Sequence, residues 1–449
     1  MYRAVNRTLL VGLLTLACPA GATAKSDLAP HAAGQGDLLV RCGALIDGLQ
    51  DTALPGTDVL IEAGRFSAIG PDLAAPTDVA VLDLREHTCL PGLIEMHTHI
   101  LEGPEELTDL TVYYDLSLED NLANGRRYAL ATLESGVTTA RNLGTYYGWA
   151  ARELRDEINR GDTPGPRLLI AGHYLTVPGG GGDLVAPGVK GSDIPARLRM
   201  GVSRSPEEFA INAQRAVDGG ADVLKVIASG AVLAYGGVPG APEMTPADLR
   251  AVVEVADAAG LKVAAHAHGA QSIIEAIEAG VDTIEHATYI DEEGIRLAIE
   301  NDVALSMEIG VGDWMIEEGR KQGWVEEFLQ KTIETTDIQR ESFRRAHAAG
   351  VPMVFGTDAG IYPHGMAGIQ FKFMVEYGMT PMEAIQAATS VAARYLGWDD
   401  RVGAIEAGRY GDLVAVPGDP LADIRLLENV SVVIKGGAVV KAPEGLRTP

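Results

Sequence analysis

Cysteine is scarce in this 449-residue chain, which contains only Cys18, Cys42 and Cys89. Small scaffolds held together by disulfides need many more cysteines, so the chain is not of that class. Its 47% hydrophobic residues are enough for a large buried core. Cys42 and Cys89 lie in apolar, strand-like segments, where a buried free thiol and a disulfide between the two both remain open.

Basic residues are also few, because 36 lysines and arginines stand against 62 acidic residues and give a net charge of -26. So acidic a surface repels nucleic acid and anionic lipid headgroups, and we expect no nucleic-acid partner. The charge serves solubility and carries no positive functional conclusion.

No apolar stretch reaches the roughly 18 to 20 residues of a membrane span, so we expect no stable membrane insertion. The first residues combine a positively charged start, an apolar run over 9–17 and small residues at 22–24, which is typical of a signal peptide. We therefore expect residues 1–24 to be removed and the protein to be exported, periplasmic or secreted. A lipoprotein anchored through Cys18 is the less favoured alternative.

Short strands separated by turns are predicted at both ends of the chain. Because the two ends have a similar pattern, we expect one small β-sandwich domain formed from residues 25–90 and 402–449. The strands are expected at 38–42, 58–62, 64–70, 412–416 and 430–437.

The long middle, residues 91–401, alternates apolar β-rich runs with amphipathic helices, which is typical of βα units and a parallel sheet. Helices such as 246–259 and 270–279 are expected to end at Gly260 and Gly280. The number of strands predicts an α/β fold with a (β/α)8 TIM barrel. The eight expected strands are 93–97, 138–143, 167–173, 222–228, 262–266, 282–286, 303–308 and 352–357.

A barrel places its reactive groups at the carboxyl ends of its strands, and these ends carry potential metal ligands. Five of the ten histidines in the chain lie there, together with a lysine and an aspartate. So many buried polar groups without a shared partner would be costly. The residues are His97, His99, Lys225, His266, His268, His286 and Asp358.

Spacing and ligand chemistry support a metal site. His97 and His99 project to the same side of a strand, and imidazole and carboxylate donors suit zinc or a similar divalent ion. Lys225 is the exception, because an ammonium cannot ligate a metal. Either it pairs with an acid such as Asp222, or carboxylation converts its amine into an anion that bridges two ions.

The motif PGLIEMHTH at 91–99, with Lys225, His266, His286 and the GTD of 356–358, resembles the amidohydrolase superfamily. Within it, the chain is similar to Xaa-Pro dipeptidase and carboxypeptidase-like enzymes that include ochratoxin-hydrolysing amidases. The main departure is Glu95, because the family usually has an aspartate before the HxH motif.

The resemblance implies two divalent ions, with zinc the expected metal, and a hydroxide shared between them. It assigns His97, His99 and Asp358 to the first ion and His266 and His286 to the second. Lys225 would bridge the ions as an N6-carboxylated lysine, which the resemblance favours over pairing with Asp222. Asp358 would also be the catalytic proton shuttle, and His173 would stabilise the carbonyl oxygen.

The implied reaction is hydrolysis of an amide or peptide bond to a C-terminal amino acid, in dipeptides or N-acyl amino acids and including ochratoxin A. We assign His268 and Tyr235 to substrate binding, and relatives are often homo-oligomers. One alternative is a cyclic amide hydrolase or a deaminase of the same superfamily, although deaminases commonly lack the bridging lysine. Another is a barrel that binds a ligand without turnover.

Overall fold

The computed structural model describes residues 37–444, so the expected signal peptide and Cys18 lie outside the described residues. Among the described helices, none combines the length and the apolar character needed to cross a membrane.

Strands from the two ends of the chain combine in one mixed sheet. Its order is β16-β15-β14-β5-β1-β3-β4, and β2 pairs with β1. The strands are β1 (Leu38–Leu45), β2 (Leu54–Pro55), β3 (Asp58–Glu62), β4 (Arg65–Gly70), β5 (Ala80–Pro91), β14 (Leu413–Pro417), β15 (Val432–Lys435) and β16 (Ala438–Lys441).

The central strand of this sheet, β5, was not among the strands whose bounds were predicted, although its residue Cys89 was expected in a strand-like segment. It pairs parallel with β1 on one side and antiparallel with β14 on the other, so hydrogen bonds join both chain ends in a single sheet. As expected, strands from both chain ends lie together, and within the described residues their hydrogen bonds form one sheet. Buried side chains such as Val40, Ile61 and Val432 form a separate apolar core on this sheet.

Cys42 on β1 and Cys89 on β5 form a disulfide, with their Cα atoms 5.9 Å apart. Both cysteines are buried in the apolar core on the sheet that the two chain ends form. The bond closes the loop that contains β2, β3 and β4 and ties it to the strand that leads into the middle of the chain.

We expect the double substitution Cys42→Ala and Cys89→Ala to lower the free energy of unfolding by about 2–4 kcal/mol, because the bond restricts the unfolded chain over a 47-residue separation. Urea unfolding of the oxidised protein and the variant measures the difference. Wild-type protein treated with a reductant is the control and should lose a similar amount. A variant as stable as the oxidised wild type would contradict the prediction.

The middle of the chain contains eight parallel strands. They form a three-stranded sheet, β6-β7-β8, and a five-stranded sheet, β13-β12-β11-β10-β9. The strands are β6 (Leu93–Thr98), β7 (Val137–Asn142), β8 (Arg167–Ile170), β9 (Val223–Ile227), β10 (Lys262–Ala267), β11 (Thr283–His286), β12 (Ala304–Ser306) and β13 (Met353–Val354).

Backbone hydrogen bonds link these two sheets at both edges. The amide of Asp222 donates to the carbonyl of Ile170 at 2.8 Å, where β9 lies beside β8. At the other edge, the amide of Met96 on β6 donates to the carbonyl of Phe355, just after β13, at 2.8 Å. The carboxyl ends of the eight parallel strands therefore lie on one side of the molecule.

Helices connect the parallel strands. The helix α5 begins behind a capping box of Thr245 and Asp248, and both α5 and α6 end at glycines with positive φ, Gly260 and Gly280, as predicted. The helices are α1 (Val112–Asp115), α2 (Leu118–Glu134), α3 (Gly148–Arg160), α4 (Pro206–Asp218), α5 (Pro246–Ala259), α6 (Ala270–Ala279), α7 (Glu292–Glu300), α8 (Val311–Gln322), α9 (Glu326–Ala349), α10 (Ile369–Glu376), α11 (Pro381–Ala387) and α12 (Ser390–Leu396).

Candidate active site

A cavity of about 1090 Å³, including its open mouth, lies at the carboxyl ends of the parallel strands. All the expected metal ligands line it, and His268 lines it with them. The residues are His97, His99, Lys225, His266, His268, His286 and Asp358.

Two of these side chains are turned into the cavity by unusual backbone conformations. His286, at the end of β11, has a φ of 73°, and Asp358, just after β13, has a φ of 58°. Positive φ is uncommon for residues other than glycine and costs about 1–3 kcal/mol, so it persists where the surroundings enforce it. Near Asp358, a Cβ at Gly356 would lie 3.0 Å from the Cβ of His97, and only glycine leaves that space.

The atoms of the expected ligands and His268 form two adjoining groups, each with its atoms within 4.8 Å of one another, and a third such group contains His97, Glu285 and Glu308. One group contains His97, His286 and Asp358, and the other contains His266, His268 and His286. An oxygen of Asp358, Oδ1, also lies 3.1 Å from Nε2 of His99. The shared member, His286, links the two groups into one cluster.

The outward-facing nitrogens of three histidines are already engaged. Nδ1 of His97 bonds Oε1 of Glu308 at 3.1 Å, and Nδ1 of His99 donates to the carbonyl of Gly144 at 3.0 Å. Nδ1 of His286 lies 2.9 Å from Oε2 of Glu308. Contacts of this kind orient an imidazole and leave Nε2 with a free lone pair, which is how metal-binding histidines are commonly held.

Lys225 is almost completely buried, at 1% exposure, and its Nζ has no hydrogen-bond partner. Burial disfavours the ammonium and lowers the pKa of Lys225 to about 8, although Glu285 and Asp358 oppose the shift. Asp222, the alternative partner considered above, is instead bonded to Arg155 at 2.8 Å. The structure therefore does not support the pairing of Lys225 with Asp222.

Three charged residues beside the cluster were not predicted from the sequence: Arg141, Glu285 and Glu308, of which Glu308 lines the cavity. Arg141 is buried and donates to Glu285 at 2.9 Å, and Glu285 lies 3.2 Å from Nδ1 of His97. Burial acts to raise the pKa of Glu308, but the neighbouring His286 and His97 outweigh it and hold the pKa below its usual value. Glu308 ends the expected strand 303–308, so its position at a strand end was the signal that could have identified it.

Glu95, the departure from the family pattern, does not line the cavity. Its carboxylate accepts hydrogen bonds from the amides of His97 at 3.1 Å and Thr357 at 2.8 Å. Burial raises the pKa of Glu95 to about 8. The side chain therefore ties β6 to the segment that carries Asp358, next to the ligands.

The structure does not bring His173 or Tyr235 into this cavity. His173 is buried with its ring perpendicular to that of Trp149, at 5.5 Å between centroids, and burial lowers its pKa to about 4. Its neighbour Tyr174 lines the cavity instead. Tyr235 lines a smaller adjoining pocket and packs against Phe328.

His268 lines the cavity and its ring stacks on that of His286, with centroids 4.7 Å apart. Its Nδ1 bonds the hydroxyl of Thr288 at 2.7 Å. When that hydroxyl donates, the proton of the neutral ring is on Nε2.

Comparison with known proteins gives the family. The pattern described as "Amidohydrolase family" matches residues 88–440. The chain belongs to the amidohydrolase family. This amidohydrolase is 30% identical over 375 residues to the ochratoxinase of Aspergillus niger, covering 79% of this chain and 76% of the relative.

Solved structures agree with this assignment. A Xaa-Pro dipeptidase crystallised with methionine in its active site is 36% identical, with a TM-score of 0.84 over 90% of this chain and 99% of that one. A prolidase in complex with N-methylphosphonate-L-proline is 26% identical, with a TM-score of 0.81 over 91% and 100% of the two chains. Structural neighbours of this kind imply that the fold is a TIM barrel. The family and these relatives also show that this amidohydrolase is a hydrolase that acts on amide bonds.

Proposed function

We propose that this amidohydrolase uses two divalent cations to hydrolyse the amide or peptide bond to a C-terminal amino acid. Dipeptides and N-acyl amino acids are the expected substrates, and ochratoxin A is included among them. The observation that carries the proposal is the convergence of two adjoining groups of ligand atoms beside the buried Lys225 in one cavity. The methionine and the proline analogue bound by the two structural relatives are consistent with such a leaving group.

The buried polar atoms of the cluster fit a metal centre. Lys225 Nζ and His266 Nε2 are buried and have no hydrogen-bond partner. Buried atoms of this kind are costly unless something binds them. Cations at this position would supply the missing partners.

We assign the first ion to His97, His99 and Asp358, and the second to His266 and His286. Lys225, carboxylated on its amine, would contact both. When bound, two zinc ions lower the pKa of a shared water and polarise the scissile carbonyl.

The chain's own groups then handle the protons and the substrate. Asp358 would accept the proton of the attacking water and deliver it to the leaving amine, which is general acid–base catalysis. His268, with its proton on Nε2, would donate a hydrogen bond to the carboxylate of the leaving amino acid. The cavity lining contains no lysine other than Lys225 and no arginine, so this hydrogen bond would be important for orientation.

Three further predictions concern the whole protein. We propose that the parallel strands close into a (β/α)8 barrel over residues 91–401, with residues 25–90 and 402–449 as a second domain. The hydrogen bonds at both sheet edges support the closure. We also propose that the protein is exported, and the Cys42–Cys89 disulfide supports this because disulfides form in oxidising compartments. The third proposal is that the protein is a homo-oligomer.

The function is tested with a substrate panel at saturating zinc. The panel contains alanyl-methionine, alanyl-proline, ochratoxin A and cyclic amides, with alanyl-methioninamide as the control that lacks the carboxylate. We expect cleavage of linear substrates with a free C-terminal carboxylate and about two zinc ions per chain by elemental analysis. Turnover of cyclic amides alone would favour the cyclic amide hydrolase, and turnover of the amidated control equal to that of alanyl-methionine would contradict the role of the carboxylate.

A further inference from the structure

One acidic side chain in the cavity has no role in the chemistry proposed above. Glu102 follows His99 by three residues, is partly buried and lines the cavity. Its carboxylate receives long hydrogen bonds from the hydroxyl of Tyr174 at 3.3 and 3.4 Å and from the amide of Tyr146 at 3.4 Å. Within residues 37–444, no lysine or arginine pairs with it.

Three aromatic side chains line the cavity together with this carboxylate. Tyr113, Tyr146 and Tyr174 line the cavity with Glu102. The ring centroids of Tyr113 and Tyr146 are 5.1 Å apart, and so are those of Tyr146 and Tyr174. A carboxylate beside several aromatic faces attracts a cation, because the carboxylate supplies charge and the ring faces supply cation–π contacts. We call Glu102 and these three tyrosines the acidic aromatic wall.

The acidic aromatic wall contacts His99, one of the residues that would hold the first ion. The hydroxyl of Tyr174 is 2.9 Å from Nδ1 of His99 and 3.3 Å from Oε2 of Glu102. In a dipeptide, the α-amine is two bonds from the scissile carbonyl carbon, so a carbonyl held beside His99 leaves the amine close to this wall. The leaving residue would extend to the other side of the cluster, towards His268.

We propose that Glu102 binds the free α-ammonium group of the substrate and makes this amidohydrolase prefer dipeptides to N-acyl amino acids. The inference rests on the proposed amide hydrolysis and assigns a specificity-determining residue to it. Glu102 takes no part in bond making or breaking. Its contribution is a charge-assisted hydrogen bond that only substrates with an α-amine can form.

Three matched compounds test this inference. Alanyl-methionine carries the α-amine, propionyl-methionine lacks only that amine, and 6-aminohexanoyl-methionine carries an amine at the position of a lysine side chain. Glu102→Gln should lower kcat/KM for alanyl-methionine by about 10- to 100-fold and change the other two by less than about threefold. Glu105→Gln is the control, because it removes the same charge from an exposed position outside the cavity.

Other outcomes overturn the inference. An equal loss on alanyl- and propionyl-methionine would mean that Glu102 acts through Tyr174 on His99, and metal analysis of the variant would then show reduced zinc. A selective loss on 6-aminohexanoyl-methionine would mean that the wall binds a side-chain amine. If the wild type cleaves none of the three, the proposed function fails in this respect, and calorimetry decides the inference. In that case, we expect the wild type to bind alanyl-methionine at least about tenfold more tightly than propionyl-methionine. The Glu102→Gln variant should not show this difference. Equal affinities of the two compounds for the wild type would overturn the inference.

Discussion

Replacement of Asp358 by asparagine should lower kcat/KM for the preferred dipeptide by about 10³- to 10⁴-fold. Asparagine keeps the size of the side chain and tolerates the positive φ of 58° at this position, so the backbone should not change. It loses the negative charge that lies 3.1 Å from Nε2 of His99, and it cannot accept and return a proton. Steady-state kinetics at saturating zinc measure the effect.

The matched control for this substitution is Asp302→Asn. Asp302 also has a positive φ, 54°, but its exposed side chain bonds Arg394 and Tyr395 and does not line the cavity. The control should keep nearly wild-type kcat/KM, and both variants should unfold at temperatures close to that of the wild type. Near-normal turnover by the Asp358→Asn protein would show that another group moves the proton.

The strand ends were the part of the site that could be predicted from the sequence. His97 and His99 follow from a period-two pattern in a buried strand, and His266, His286 and Asp358 follow from the rule that parallel strands end at one face. Such rules are local, because each needs only a short apolar run and the polar residue after it. The same locality explains why the bounds of α5 and α6, set by a capping box and by glycines, agree with the structure.

The side chains behind and beside the ligands could not be predicted in this way. Arg141 reaches Glu285 across 144 positions of sequence, and no local pattern links the two. The choice between His173 and its neighbour Tyr174 depends on how the chain turns after β8, which ends at Ile170. A loop has no periodicity that fixes which of two successive side chains enters the cavity, so Tyr174 and Glu102 were identified only in the structure.

Replacement of Lys225 by alanine should lower both the zinc content and kcat/KM, the latter by about 10³-fold or more. The side chain is buried beside the two groups of ligand atoms, and its Nζ has no hydrogen-bond partner. A carboxylated lysine would contribute a negative charge between two cations, and its removal leaves their repulsion uncompensated. Elemental analysis and steady-state kinetics measure the two losses.

Chemical rescue distinguishes a bridging carboxylate from a structural lysine. Acetate or propionate can enter the space left by the Lys225→Ala substitution and supply the missing carboxylate, so both zinc content and turnover should recover in part as its concentration rises. Lys262→Ala is the control, because Lys262 lies on the neighbouring strand β10 with an exposed side chain paired to Asp282. Carbon-13 NMR after incubation with labelled bicarbonate should show a carbamate signal in the wild type and in the control but not in Lys225→Ala. Wild-type zinc content in the Lys225→Ala protein would exclude the bridging role. Loss of a metal ligand must lower the zinc content, whereas loss of a buried amine that does not bind metal leaves it unchanged.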